Sequence, residues 1–147
     1  MDLRISSNGI NLIKKFEGFS SVLYDDVGHP AIGYGQDLTS DQAKFYKGKT
    51  ITEQEATVLL LNHLVGIESC INKNVKTTIN QNQYDALCSF TYNVGIRAFI
   101  KSTLLKKINQ NDFSGAANEF LRWNKVDGKP HPGLTDRREQ EKNLFTS

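Results

Sequence analysis

Apolar side chains at Ile10, Ile13 and Phe16 recur at helical spacing behind Ser6 and Ser7, so a serine-capped first helix is expected, ending at Gly18. The pattern then changes. Val22-Leu23-Tyr24 and Ala31-Ile32-Gly33-Tyr34-Gly35 read as short strands, and Asp25-Asp26-Val27-Gly28-His29-Pro30 between them carries turn chemistry. A hairpin or small three-stranded sheet is expected there. From Thr52 onward the pattern is helical to the end of the chain. Thr52-Glu53-Gln54-Glu55 forms a capping box, in which Thr52 and Glu55 satisfy each other's backbone ends. Ala56, Leu59, Leu60, His63, Leu64 and Ile67 then mark the stripe of a long connecting helix. Later helices are predicted over Gln81 to Asn93, Ile96 to Asn109, Phe113 to Trp123 and Leu134 to Phe145. Breaks are expected at Gly95, Asn111 and the turn Asp127-Gly128-Lys129-Pro130. The fold class is therefore α+β: a small N-terminal lobe with the hairpin over about residues 18–50, a connecting helix, and a larger all-helical lobe over about residues 70–147 joined by the N-terminal helix. One domain over 1–147 is expected, with a binding site in a cleft between its lobes.

Composition narrows the class. Of the 147 residues, 38% are hydrophobic and 23% charged, which is the range of folded chains with a real core and excludes disorder. The net charge of +2 is too weak to select a polyanion, and Lys14, Lys15, Lys44, Lys73, Lys101, Lys106 and Lys107 are scattered, so no nucleic-acid partner is expected. Cys70 and Cys88 fall in amphipathic helices and are expected to be free, buried thiols. No stretch reaches the ~20 apolar residues of a membrane span, and the N-terminus carries no run of signal-peptide length. The expectation is a soluble monomer made in the cytoplasm without a signal peptide or stable membrane insertion.

Several chemistries drop out. His29, His63 and His131 have no ligand partners at metal spacing, so no metal is expected, and the Gly-x-Ser-x-Gly elbow is absent. Gly33-Tyr34-Gly35 lacks the rest of a dinucleotide or phosphate loop, and no cofactor is expected. What remains is a glutamate, Glu17, at a helix end beside aromatic residues, with Asp25 and Asp26 on a hairpin edge. A carboxyl at the negative end of a helix dipole beside apolar surface favours its protonated form, as a general acid requires. A second carboxylate at a wetter position can stay charged and orient water.

The run Phe16-Glu17-Gly18 with Tyr24, Asp26, Gly28 and Ile32-Gly33-Tyr34-Gly35 resembles the active-site hairpin of phage-type (T4-like) lysozymes, glycoside hydrolase family 24. Further stretches are similar in family order: Ile51 to Ala56 with Leu59-Leu60, Asn80 to Leu87, Ser89 to Gly95, Ser102 to Leu105, Phe120 to Trp123 and Gly133 to Glu139. The resemblance covers nearly the whole chain. It implies a lysozyme-like fold and an endolysin, or muramidase, that hydrolyses the β-1,4 bond between N-acetylmuramic acid and N-acetylglucosamine in peptidoglycan, without a cofactor. It carries the general acid onto Glu17 and the aspartate, nine residues later, onto Asp26. Counting back from Ala31 points instead to Asp25; Tyr24 and the Tyr-x-Asp pattern favour Asp26. Tyr92, Asn93 and Gln36 are the implied substrate-binding residues, and Arg137 or Arg138 corresponds to an inner arginine able to pair with Glu17. Release to the wall is expected to depend on a separate holin-like pore.

The hairpin departs from the family at two positions. Ala31 stands where the family has a water-holding threonine, and Gln36 where it has a histidine. Losing one catalytic hydrogen bond can cost ~100- to 1,000-fold. The competing expectation is thus an attenuated lysozyme-like protein that grips glycan without efficient cleavage.

Overall fold

The computed structural model describes residues 2–26 and 28–147. Its contacts divide the chain into two compact units: Ile13–Gly66, and the residues up to Leu12 together with Ile67–Ser147. Helices α1 (Ser7–Glu17) and α3 (Glu53–Asn74) each contribute residues to both.

The unit Ile13–Gly66 is built on an antiparallel sheet of β1 (Ser20–Asp26), β2 (His29–Gly33) and β3 (Gln36–Asp37), in that spatial order. Its hairpin is tighter than the sequence suggests. Asp25 pairs with Pro30 and Asp26 with His29, so residues expected in the turn belong to strands. Val27 of the expected turn lies outside the described residues. Conversely, Tyr34 and Gly35, expected in a strand, turn the chain between β2 and β3. Gly33 and Gly35 there take φ values of +68° and +76°, which a residue bearing a Cβ adopts only under strain.

A helix not expected from the sequence, α2 (Ser40–Tyr46), follows. None of its residues is buried, so it has no apolar stripe to announce it. It is held locally instead by a reciprocal cap between Thr39 and Gln42. The cap expected at α3 forms as read: Glu55 N donates to Thr52 Oγ1 and Thr52 N to Glu55 Oε1, both at 3.1 Å. Along α3, Ala56, Leu60, Leu64 and Ile67 are buried, whereas His63 is exposed.

The other unit packs α4 (Gln81–Val94), α5 (Ile96–Lys101), α6 (Thr103–Asn109), α7 (Phe113–Glu119) and α8 (Pro132–Thr146). Tyr84, Leu87, Phe90, Phe99, Leu104, Ile108, Phe120 and Phe145 are buried in it. The Phe90 ring meets Phe120 and Trp123 edge-on at 5.4 and 5.5 Å between centroids. The single helix expected over 96–109 is two, because Ser102 takes extended φ/ψ; its hydroxyl donates to Phe99 O and accepts from Leu105 N. The helix expected over 113–123 stops at Glu119 and finishes as a 3₁₀ turn over Phe120–Arg122. The chain is also not helical throughout after Thr52. β4 (Lys125–Val126) and β5 (Lys129–Pro130) pair around Asp127-Gly128, both with positive φ, the backbone of a two-residue hairpin turn.

Candidate active site

Helix α1 delivers Glu17 as its last residue, and Gly18, at φ +69°, lets the chain leave the helix immediately afterwards. The Glu17 side chain is half-buried and lies against the β2–β3 turn. A Cβ built on Gly35 would stand 2.7 Å from Glu17 Oε1 and 3.9 Å from Tyr24 Oη. Only glycine leaves the Glu17 carboxyl its present place, while the Tyr24 hydroxyl is in ordinary contact range.

Alternation along β1 puts Tyr24 and Asp26 on one face and Asp25 on the other. Asp25 is engaged locally, accepting from Gly28 N at 3.3 Å. Register continues the row across the sheet: Tyr24 pairs with Ala31, and Ala31 with Asp37. Directly paired residues share a face. Tyr24, Asp26, Ala31 and Asp37 therefore stand on the same side. Burial, then the negative charges of Asp26, Glu17 and Asp37, hold the Tyr24 phenol above its ordinary ionisation range. One phenol thus feels the charge of all three carboxylates.

Of the residues singled out from sequence, Glu17 and Asp26 come together here, and Asp25 does not join them. Gln36 pairs with Ile32, so it faces the opposite side of the sheet, only 9% exposed. Tyr92 and Asn93 belong to the helical unit, near the end of α4. Tyr92 is half-buried, and Asn93 is exposed with its Oδ1 accepting from Arg138 Nη2. Arg138 also donates to Trp123 O at 2.9 Å and pairs with the buried Glu141, which accepts from Ser89 Oγ and Arg137 Nε as well. Asp37 is the residue that the sequence reading missed. Its place beside Ala31 depends on pairing between β2 and β3, and nothing in the local run Gln36-Asp37-Leu38 signals it.

Among the described residues no group of three or more His, Cys, Asp or Glu side chains could hold a metal ion. His29, His63 and His131 are exposed. His131 caps α8, accepting from Leu134 N through Nδ1. Cys70 and Cys88 are free and buried. No helix of the described residues is long and apolar enough to cross a membrane.

A helix-end glutamate opposite strand aspartates is the arrangement of a carboxylate-based hydrolase, and comparison with known proteins decides which kind. The phage lysozyme family model matches residues 14–141. The chain belongs to the phage lysozyme family. It is 41% identical over 150 residues to an endolysin of Acyrthosiphon pisum secondary endosymbiont phage 1, covering 99% of each chain. It is 44% identical to the endolysin of Bacillus phage B103, with 97% of this chain matched to 54% of that one. Among solved structures, a point variant of P22 lysozyme superimposes with a TM-score of 0.87 at 38% identity, covering 99% of both chains. As a phage lysozyme the chain is a muramidase, a glycoside hydrolase that lyses peptidoglycan.

Proposed function

We propose that Glu17 and Asp26 carry out cleavage of the β-1,4 bond between N-acetylmuramic acid and N-acetylglucosamine. Glu17 is the general acid. Its carboxyl proton passes to the glycosidic oxygen as the bond to the anomeric carbon breaks, so the sugar leaves as a neutral alcohol. Asp26, at the exposed end of β1, balances the positive charge that develops on the sugar ring and takes the proton from the attacking water. The supporting observation is the convergence of Glu17 and Asp26 on Tyr24, with Asp25 turned away into the hairpin. Tyr92 and Asn93 are proposed as glycan contacts from α4. Gln36, on the buried face of the sheet, is proposed as a polar support of the β2–β3 turn.

The test is Glu17→Gln, which keeps the shape and removes the transferable proton. General acid–base catalysis contributes ~10²- to 10⁴-fold, so release of reducing ends from purified peptidoglycan should fall by about 10³-fold while the protein still sediments with the polymer. Retention of more than a tenth of the activity would remove Glu17 from its role.

A further inference from the structure

Helix α5 is a short element set between two chain breaks, Gly95 at φ +96° and Ser102 in extended conformation, and only Phe99 of its six residues is buried. The rest of its surface turns outward. At ~100° per residue, Ile96, Ile100, Arg97 and Lys101 follow one another around ~140° of arc. Two isoleucines and two basic side chains, each pair four residues apart, thus form one continuous strip. All four are exposed, Ile96 by 38% and Ile100 by 46%. Among the described residues, Val126 is the one other large apolar side chain that the helical unit exposes. The charge along this part of the chain has one sign. Residues 86–111 hold four basic side chains and no Asp or Glu. Lys107 is paired with Asp112 at 3.6 Å, whereas no ion pair among the described residues engages Arg97, Lys101 or Lys106. Lys101 also borders a hollow with Arg122 and the half-buried Trp123, and the carboxylate there, Glu119, is taken up by Arg122 at 3.0 Å.

We infer that the outward strip of α5 is a docking surface for an anionic lipid bilayer. Such a surface is the partner that uses both halves of the strip. Lipid phosphates attract the basic side chains within about a Debye length, and the isoleucines enter the boundary between headgroups and acyl chains. A hydrated polyanion would be held by the charges alone, and Ile96 and Ile100 would contribute nothing to it. Four side chains on one and a half turns of helix give weak, reversible attachment that depends on anionic lipid and on salt. Each basic group beside an anionic bilayer changes binding roughly fivefold, and each methylene withdrawn from water roughly fourfold. Glu17 and Asp26 belong to the other unit, so attachment through α5 engages neither carboxylate.

The test uses the full chain with vesicles of phosphatidylcholine, alone or in equal parts with phosphatidylglycerol. At low ionic strength wild type should sediment with the anionic vesicles about tenfold more tightly than with the neutral ones, or better, and should come off in about 0.5 M salt. Arg97→Gln with Lys101→Gln should weaken binding roughly 25-fold, and Ile96→Ser with Ile100→Ser about tenfold or more. Arg4→Gln with Lys73→Gln removes the same charge from exposed positions elsewhere in the helical unit and should bind within about threefold of wild type. Hydrolysis of soluble peptidoglycan fragments should be unchanged in all three double variants, with folding checked by circular dichroism and thermal melts. Equal binding of wild type to both kinds of vesicle would overturn the inference. An isoleucine variant that binds as tightly as wild type would make the strip a plain electrostatic surface and overturn lipid docking. Equal weakening by the Arg4 and Lys73 variant would make net charge responsible rather than α5, with the same consequence. If an α5 variant melts like wild type but no longer hydrolyses soluble fragments, the strip belongs to the glycan and the inference is likewise overturned.

Discussion

Gly35 is the residue on which the position of Glu17 depends. Its φ of +76° excludes an unstrained Cβ, and the space a Cβ would fill is taken by Glu17 Oε1 at 2.7 Å. Those two facts predict different costs. Holding alanine in left-handed backbone costs ~1 to 2 kcal/mol, whereas the Glu17 carboxyl, at the tip of a flexible side chain, moves aside with little further loss of stability. A catalytic group displaced by 1 Å can cost ~10²-fold in rate. Gly35→Ala should therefore lose activity by about 10²-fold while unfolding only ~1 to 2 kcal/mol more easily. Reducing-end release measured alongside urea unfolding checks this, and a variant with wild-type activity would show that the carboxyl does not need its present place. At this scale the sequence was legible where chemistry follows period: the two-residue alternation of a strand is enough to put Asp26 with Tyr24 and Asp25 on the other face. It was not legible where chemistry follows pairing. Asp37 gains its place from Ala31 on another strand, and the same register sends Gln36 to the buried side.

Elements were readable in proportion to how much apolar surface they bury. Helices α3, α4 and α8 carry buried stripes or strong caps and fall close to where periodicity put them. Helix α2 buries nothing and was missed, and the break at Ser102 is made by one hydroxyl bonding on both sides of it. Gly9 is a further case, since glycine inside a helix costs ~1 kcal/mol relative to alanine and so looks like a weakness. In the fold it is where α1 meets α4: a Cβ there would stand 2.7 Å from Ile5 Cγ1 and 2.9 Å from Asp85 Cβ. The Asp85 carboxylate is anchored beside it, accepting from Ser6 N at 2.9 Å, from Ser6 Oγ and from Gln81 Nε2 at 2.8 Å. Ile5 can shift, but the Asp85 Cβ is fixed to the backbone of α4. Overpacking of this kind costs ~1 to 3 kcal/mol, which exceeds the gain in helix propensity. Gly9→Ala is thus expected to be destabilised by about 1 to 2 kcal/mol with unchanged kcat, measured by thermal unfolding at constant pH. A rise in Tm would mean that propensity wins and the contact is soft.

At the scale of the whole molecule, the helical unit buries groups that tolerate only one protonation state, and this sets where its stability ends on the alkaline side. Burial first, then the charges of Glu68 and Asp85, push the Cys88 thiol well above its usual range. Burial, with Cys88 and Glu68, does the same to the Tyr84 phenol. In the unfolded chain the thiol ionises near ~8.5 and the phenol near ~10. Below pH 8 both states hold both protons, so the contribution of these groups to stability is fully present. As pH rises past the unfolded thiol value, the unfolded chain releases a proton that the folded one keeps, and the loss continues until the folded value is reached. The slope approaches ~1.4 kcal/mol per pH unit for each group over the range in which only the unfolded chain has released its proton. Urea midpoints should accordingly be flat from pH 6 to 8 and fall steeply above pH 9. Cys88→Ala loses stability at neutral pH by leaving a small cavity, but it removes one of the raised titrations, leaving those of Cys70 and Tyr84, and should make the alkaline slope shallower. A variant whose alkaline slope matches wild type would show that the buried thiol is not what limits the folded state at high pH.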